Sequence, residues 1–119
     1  MNKFYEKLLN VILKKLGYNN CDMKTNGELS AVKYFLKHCD KDKVLRVVDV
    51  GACKGEWTDI VMKLNTQKTS YYLAEPLHEK ELKEKYKDRQ DVIINSMAIG
   101  KEFCTKTFYI NKTISSLYL

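Results

Sequence analysis

Val44-Leu45-Arg46-Val47-Val48-Asp49-Val50-Gly51-Ala52-Cys53-Lys54-Gly55-Glu56-Trp57-Thr58 is the stretch that decides the fold. Val44, Leu45, Val47, Val48 and Val50 make a short, β-branched apolar run, the pattern of a strand buried on both faces, as found in a parallel sheet. A glycine-bearing turn follows, and Glu56-Trp57-Thr58 then opens a helical pattern. Strand, tight turn and helix N-terminus together form a ligand cradle, because glycine admits close backbone approach and the first helical N–H groups point at the ligand. Asp49, two positions before Gly51, puts a carboxylate at the strand's carboxyl end, where open α/β sheets bind ligands. A carboxylate there suits an ammonium group better than phosphates alone.

Upstream, residues 2–16 carry Phe4, Leu8, Ile12 and Leu16 at helical spacing, with Tyr5, Leu9 and Leu13 beside them and Gly17 as a stop. With Lys3, Lys7, Lys14 and Lys15 this helix fits a membrane surface or a partner, but a helix covering one face of the sheet is the preferred reading. Thr25 and Glu28 have capping-box spacing and start a second helix near Gly27 that runs to about Cys39. Leu29, Val32, Phe35, Leu36 and Cys39 line one side of it, and His38 sits at the end where a cation is favoured.

Downstream, Trp57, Ile60, Val61 and Leu64 give a helix, and Ser70–Ala74 a second strand. Leu77–Tyr86 reads as a helix beginning beside Pro76, with Leu82 inward, and Asp91–Asn95 as a third strand. Strand, helix, strand, helix, strand is a βαβαβ unit with right-handed crossovers. Thr105–Ile110 alternates as one arm of a hairpin, and Lys112–Leu119 reads as loop or short strand. The expected class is α/β, a Rossmann-like parallel sheet with two N-terminal helices and a C-terminal hairpin. Residues 1–43 form a helical segment packing on the sheet, and 44–119 a cofactor-binding half-domain.

Composition narrows the function. At 119 residues the chain supports one domain, and its net charge of +6 comes mostly from dispersed lysines. Without an arginine cluster or a basic-aromatic stripe, nucleic acid is not the expected partner. Cys21, Cys39, Cys53 and Cys104 include no Cys-x-x-Cys pair, and only His38 and His78 could add imidazoles, so no metal site is expected. Free thiols point to a reducing, cytoplasmic setting. No apolar run approaches the ~20 residues of a membrane span, no signal peptide is recognised, and the sequon Asn111-Lys112-Thr113 is read as chance.

Glu75 lies twenty positions after Gly55, at the end of the second strand. In nucleotide-binding βαβ units an acidic side chain there accepts hydrogen bonds from ribose hydroxyls. Asn95-Ser96 ends the third strand on the same edge, where polar groups can meet an adenine between Leu77 and Met97. An adenosine derivative is therefore expected. Cys53 occupies the second-glycine position of a dinucleotide turn and would crowd a pyrophosphate, which disfavours NAD and FAD. S-adenosylmethionine has no phosphate, and its ammonium suits Asp49.

The segments VVDVGACKGEWT, YLAEP, INSMAIG and FYINKTISSLY together resemble the first half of the FkbM family of S-adenosylmethionine-dependent methyltransferases, from about Val44 to the C-terminus. The resemblance implies that Asp49, Gly51, Ala52, Gly55 and Thr58 surround the methionine end of the cofactor, and Cys53, within the same turn, is counted with the cofactor-binding residues. By the same resemblance Glu75 holds the ribose, Pro76 shapes the next turn, Ser96 and Met97 lie near the adenine, and Ser115-Ser116-Leu117 matches a serine-rich stretch. Cys53 stands where this family usually shows asparagine. The family continues with a fourth strand and an acidic Asp-x-Glu-Gly segment that have no counterpart here, so a truncated domain is expected.

The implied chemistry is in-line methyl transfer, most often to oxygen, on a small-molecule or glycan-type acceptor that these residues do not name. No catalytic base stands out, and His78 reads as a helix-surface residue. Without a fourth strand the edge of Val44–Val50 is open, so pairing with a second copy or another chain is expected. The alternative function is a non-catalytic nucleotide-binding or partner-binding module.

Overall fold

A computed structural model describes residues 3–16, 23–107, 109–110 and 115–116. Its elements are α1 (Lys3–Lys15), α2 (Glu28–His38), β1 (Leu45–Val50), α3 (Glu56–Leu64), β2 (Thr69–Ala74), α4 (Glu79–Lys85), β3 (Val92–Asn95), β4 (Tyr109–Ile110) and β5 (Ser115–Ser116). The first three strands form a parallel sheet in the order β1-β2-β3, and β4 pairs antiparallel with β5. The fold is α/β with a Rossmann-like βαβαβ unit, as the strand and helix periodicities require. Cys21, the sequon at 111–113 and Leu117 lie outside the described residues.

Register brings the strand tips level. Asp49 lies opposite Leu73, Val50 opposite Ala74, and Ala74 opposite Asn95. Beyond the ladder, Gly51 N–H donates to Ala74 O at 2.8 Å and Glu75 N–H to Asn95 O at 3.0 Å. The carboxyl edge is therefore one continuous hydrogen-bonded row.

The core lies on one face of the sheet. Leu73, Tyr71 and the partly buried Val47 and Ile94 meet Val61 of α3, Leu82 of α4 and Tyr86, and Val32 of α2 packs against them. Both crossovers step the same way across the sheet, and right-handed crossovers in one direction place their helices on the same face. Among the described residues β1 is an edge strand, the position expected of it without a fourth strand alongside. The geometry corrects the other expectation about β1: it is not buried on both faces, since Val48 is 62% and Val50 60% exposed, with Ile93 and Tyr72 exposed beside them. β-branched runs signal strand, but they do not say how many layers cover it.

The N-terminal segment also differs from expectation. α2 buries Leu36 and packs Val32 on the core. α1 does not cover the sheet, and Phe4, Leu8, Ile12 and Leu16 stay exposed. Periodicity identifies an apolar face without identifying what it meets. The Thr25–Glu28 capping box does not form. Gly27, at φ 95°, is the N-cap of α2, and Asn26 Oδ1 accepts the Glu28 N–H at 2.9 Å instead. The hairpin arm is shorter than expected, since residues 105–107 are not strand.

Candidate functional site

The turn after β1 carries three left-handed residues in five, Gly51 (φ 75°), Cys53 (φ 49°) and Gly55 (φ 77°). L side chains resist that conformation, so two of the three positions are glycine. The two glycines serve different ends. A Cβ on Gly55 would collide with the Tyr86 side chain, so this glycine admits a neighbour from below. A Cβ on Gly51 would meet nothing within 4 Å, so this glycine faces open space.

A floor from α4 holds the turn. The Tyr86 hydroxyl lies 3.0 Å from Gly55 O and 2.8 Å from Asp59 Oδ1, with one proton for the two acceptors. Burial and the Asp59 carboxylate push its phenol pKa well up. Lys85 Nζ donates to Lys54 O at 2.6 Å and pairs with Asp59 Oδ2 at 2.6 Å. These contacts were not recognised in the sequence. Tyr86 sits four residues after the inward Leu82, and that spacing is the signal that places it on the same face.

Two carboxylates flank the turn. Asp49 is buried, and its Oδ2 accepts the hydroxyl of fully buried Thr58 at 2.5 Å. Among the described residues its Oδ1 has no hydrogen-bond donor. Burial raises the Asp49 pKa, Thr58 lowers it in part, and the Glu75 charge raises it further. Glu75 is also buried. Its Oε2 accepts Cys53 N–H at 2.9 Å, and its Oε1 accepts Leu77 N–H at 2.7 Å and His78 N–H at 3.3 Å. Burial alone would raise the Glu75 pKa, but these donors outweigh it and hold the carboxyl below its ordinary value. Neighbouring carboxylates are thus pushed in opposite directions, a pattern common at functional sites.

His78 is not the helix-surface residue expected. Its Nδ1 lies 3.3 Å from Glu75 Oε1 and its ring is half-buried. α4 starts at Glu79 rather than at Leu77, because Glu75 draws the N–H groups of Leu77 and His78 into a turn of their own.

The geometry divides the residues singled out in the sequence. Gly51 and Cys53 are exposed at the mouth of the turn, with the carboxylates of Asp49 and Glu75 just inside. Ala52, Gly55 and Thr58 are buried and act from behind: Ala52 in the core, Gly55 against Tyr86, Thr58 on Asp49. Ser96 and Met97 are exposed beyond β3. Met97 and Pro76 line an open groove of about 420 Å³ that continues along residues 98–106, and Leu77 is not part of it.

Cys39, Cys53 and Cys104 are free thiols. Among the described residues no three His, Cys, Asp or Glu side chains converge as metal ligands, and no helix is long and apolar enough to cross a membrane. No family model, curated protein or solved structure matches the chain.

Proposed function

We propose that the carboxyl edge of the sheet binds S-adenosylmethionine and that the chain forms the cofactor-binding part of a methyltransferase resembling the FkbM family. One observation carries this reading. Two buried carboxylates, Asp49 and Glu75, sit at the ends of adjacent parallel strands beside a turn whose Gly51 faces open space.

The donor and acceptor chemistry fits the cofactor. Asp49 Oδ1 is the acceptor for the ammonium, while Thr58 keeps Oδ2 occupied and fixes the carboxylate plane. A carboxylate offers about four lone-pair positions, and Glu75 has one left on Oε2 for a ribose hydroxyl. A second hydroxyl would take the place of His78 Nδ1 on Oε1. Pro76 and Met97 supply an apolar groove for the adenine, with Ser96 beside it. Bound there, the cofactor supplies an electrophilic sulfonium methyl; the protein's own work is to position the reactants and exclude water. The acceptor in this reading is a small-molecule or glycan-type nucleophile. The free thiols favour a reducing, cytoplasmic setting. The outer edge of β1, unpaired among the described residues, is where a second copy or another chain would add a strand.

A second reading rests on Glu75 itself. Its four donor contacts are what a purely structural clasp would show, and they favour a non-catalytic module. Calorimetric titration with S-adenosylhomocysteine, with NAD in parallel, separates the two. Heat from the first alone supports the methyltransferase reading, and heat from neither, with the chain folded, supports the module.

A further inference from the structure

α1 is an amphipathic helix whose apolar face is exposed. Phe4, Tyr5, Leu8, Leu9, Val11 and Ile12 are each 45–67% exposed along it. The helical hydrogen bonding runs on to Leu16, whose N–H donates to Ile12 O at 3.0 Å. At about 100° per residue, Val11 and Leu13 bound an apolar arc of roughly 200° that contains all of these side chains. Lys3, Lys7 and Asn10 lie outside that arc, and all three are exposed. Over its length α1 carries four lysines and one glutamate.

Three surfaces compete to cover such a helix. Packing on a sheet or a neighbouring helix takes a stripe of roughly 100°, about half of what α1 presents. The open face of this sheet is also a poor match in charge. Its side chains are Arg46, Val48, Val50, Ser70, Tyr72, Ala74, Ile93 and Asn95, with one charge, and that charge is positive. A second copy presents the same basic helix and the same basic face. An anionic lipid surface matches both features. A helix of about 10 Å diameter sunk roughly 5 Å into the headgroup boundary buries half its circumference and leaves Lys3 and Lys7 on the outer face, about a Debye length or less from the lipid phosphates. Lys15, inside the arc at the last turn, has the long stem that lets an ammonium reach that level.

We infer that α1 is an interfacial anchor that docks the chain on anionic membranes, with its helix axis in the plane of the surface. This inference is independent of the methyltransferase reading. It requires no span, and none is present among the described residues.

Co-sedimentation of the full chain with vesicles tests it. The chain binds vesicles of phosphatidylcholine mixed with phosphatidylserine, binds phosphatidylcholine alone far more weakly, and releases as salt rises. Lys3→Ala/Lys7→Ala weakens binding by roughly thirtyfold, at the usual contribution of a lysine near an anionic surface. Leu8→Glu/Ile12→Glu abolishes it and leaves the unfolding transition of the sheet domain unchanged. Equal binding to both vesicle types, or none to either, overturns the inference. So does a dimer in light scattering that Leu8→Glu/Ile12→Glu dissociates and that does not bind vesicles, since it assigns α1 to a second copy.

Discussion

Glu75 Oε2 accepts the backbone N–H of Cys53 at 2.9 Å, so a carboxylate at the end of β2 fixes the turn at the end of β1. Its other oxygen fixes the turn that follows β2. The side chain proposed to hold a ribose is therefore also the brace of the cradle. Ligand geometry and local stability share one group.

That double role predicts a split between two substitutions. Glu75→Ala strands the N–H groups of Cys53 and Leu77 and costs about 2 to 4 kcal/mol. Glu75→Gln keeps an acceptor oxygen for one of them and costs about half as much. Urea denaturation of both variants reads the difference. It also makes Glu75→Ala a poor probe of ligand binding, because the turn fails with it.

The two carboxylates respond to pH with opposite signs. The folded pKa of Glu75 is depressed, so its stabilisation is in place above its ordinary value of 4.5 and is lost as pH falls through the lower folded value. The folded pKa of Asp49 is raised, so its ionisation opposes folding. The penalty is complete above the raised folded pKa and relieved as pH falls toward 3.8. Asp49→Asn keeps an oxygen for Thr58 and removes the buried charge. Its thermal stability at neutral pH is expected to match or exceed that of the parent, and its melting temperature to fall more steeply on acidification below pH 5. A variant clearly less stable at pH 7 contradicts this.

Gly51 and Gly55 share a left-handed backbone but differ in surroundings. Gly51→Ala meets no neighbour and costs about 1 kcal/mol of backbone strain. Gly55→Ala adds a collision with Tyr86 and costs about 2 to 4 kcal/mol. Chemical denaturation is expected to rank them in that order, and the reverse order would contradict the packing of Tyr86 under the turn.

Cys53 sits at φ 49° with an exposed side chain. Asparagine tolerates that conformation better than cysteine. Cys53→Asn is expected to raise stability by about 0.5 kcal/mol and to leave the N–H bond to Glu75 in place. A loss of stability on denaturation would show that the thiol makes a contact the backbone angle does not reveal.

The fold was legible where periodicity is strong. The run at Val44–Val50 and the two-residue alternation through Tyr71 and Leu73 mark strands, and Val61 and Leu82 mark inward helix faces. The site was legible as positions along the chain, since Asp49, Gly51, Gly55 and Glu75 fall at spacings that topology brings to one edge. What escaped was the direction of side chains. Nothing local says that Glu75 turns back onto Cys53 or that Tyr86 rises under Gly55, because each is a tertiary contact between segments far apart in sequence, and His78 turns toward Glu75 within the turn that Glu75 itself organises. The covering of α1 was misjudged for the same reason: a period gives a face and not its partner.

The most direct test of the account is calorimetric titration of the purified chain with S-adenosylhomocysteine, run on the parent and on Asp49→Asn. The account predicts binding by the parent and a ten- to hundredfold loss in the variant, the usual range for one charge-assisted hydrogen bond, with both proteins folded. A folded parent that produces no heat, or an Asp49→Asn variant that binds as tightly as the parent, would contradict it.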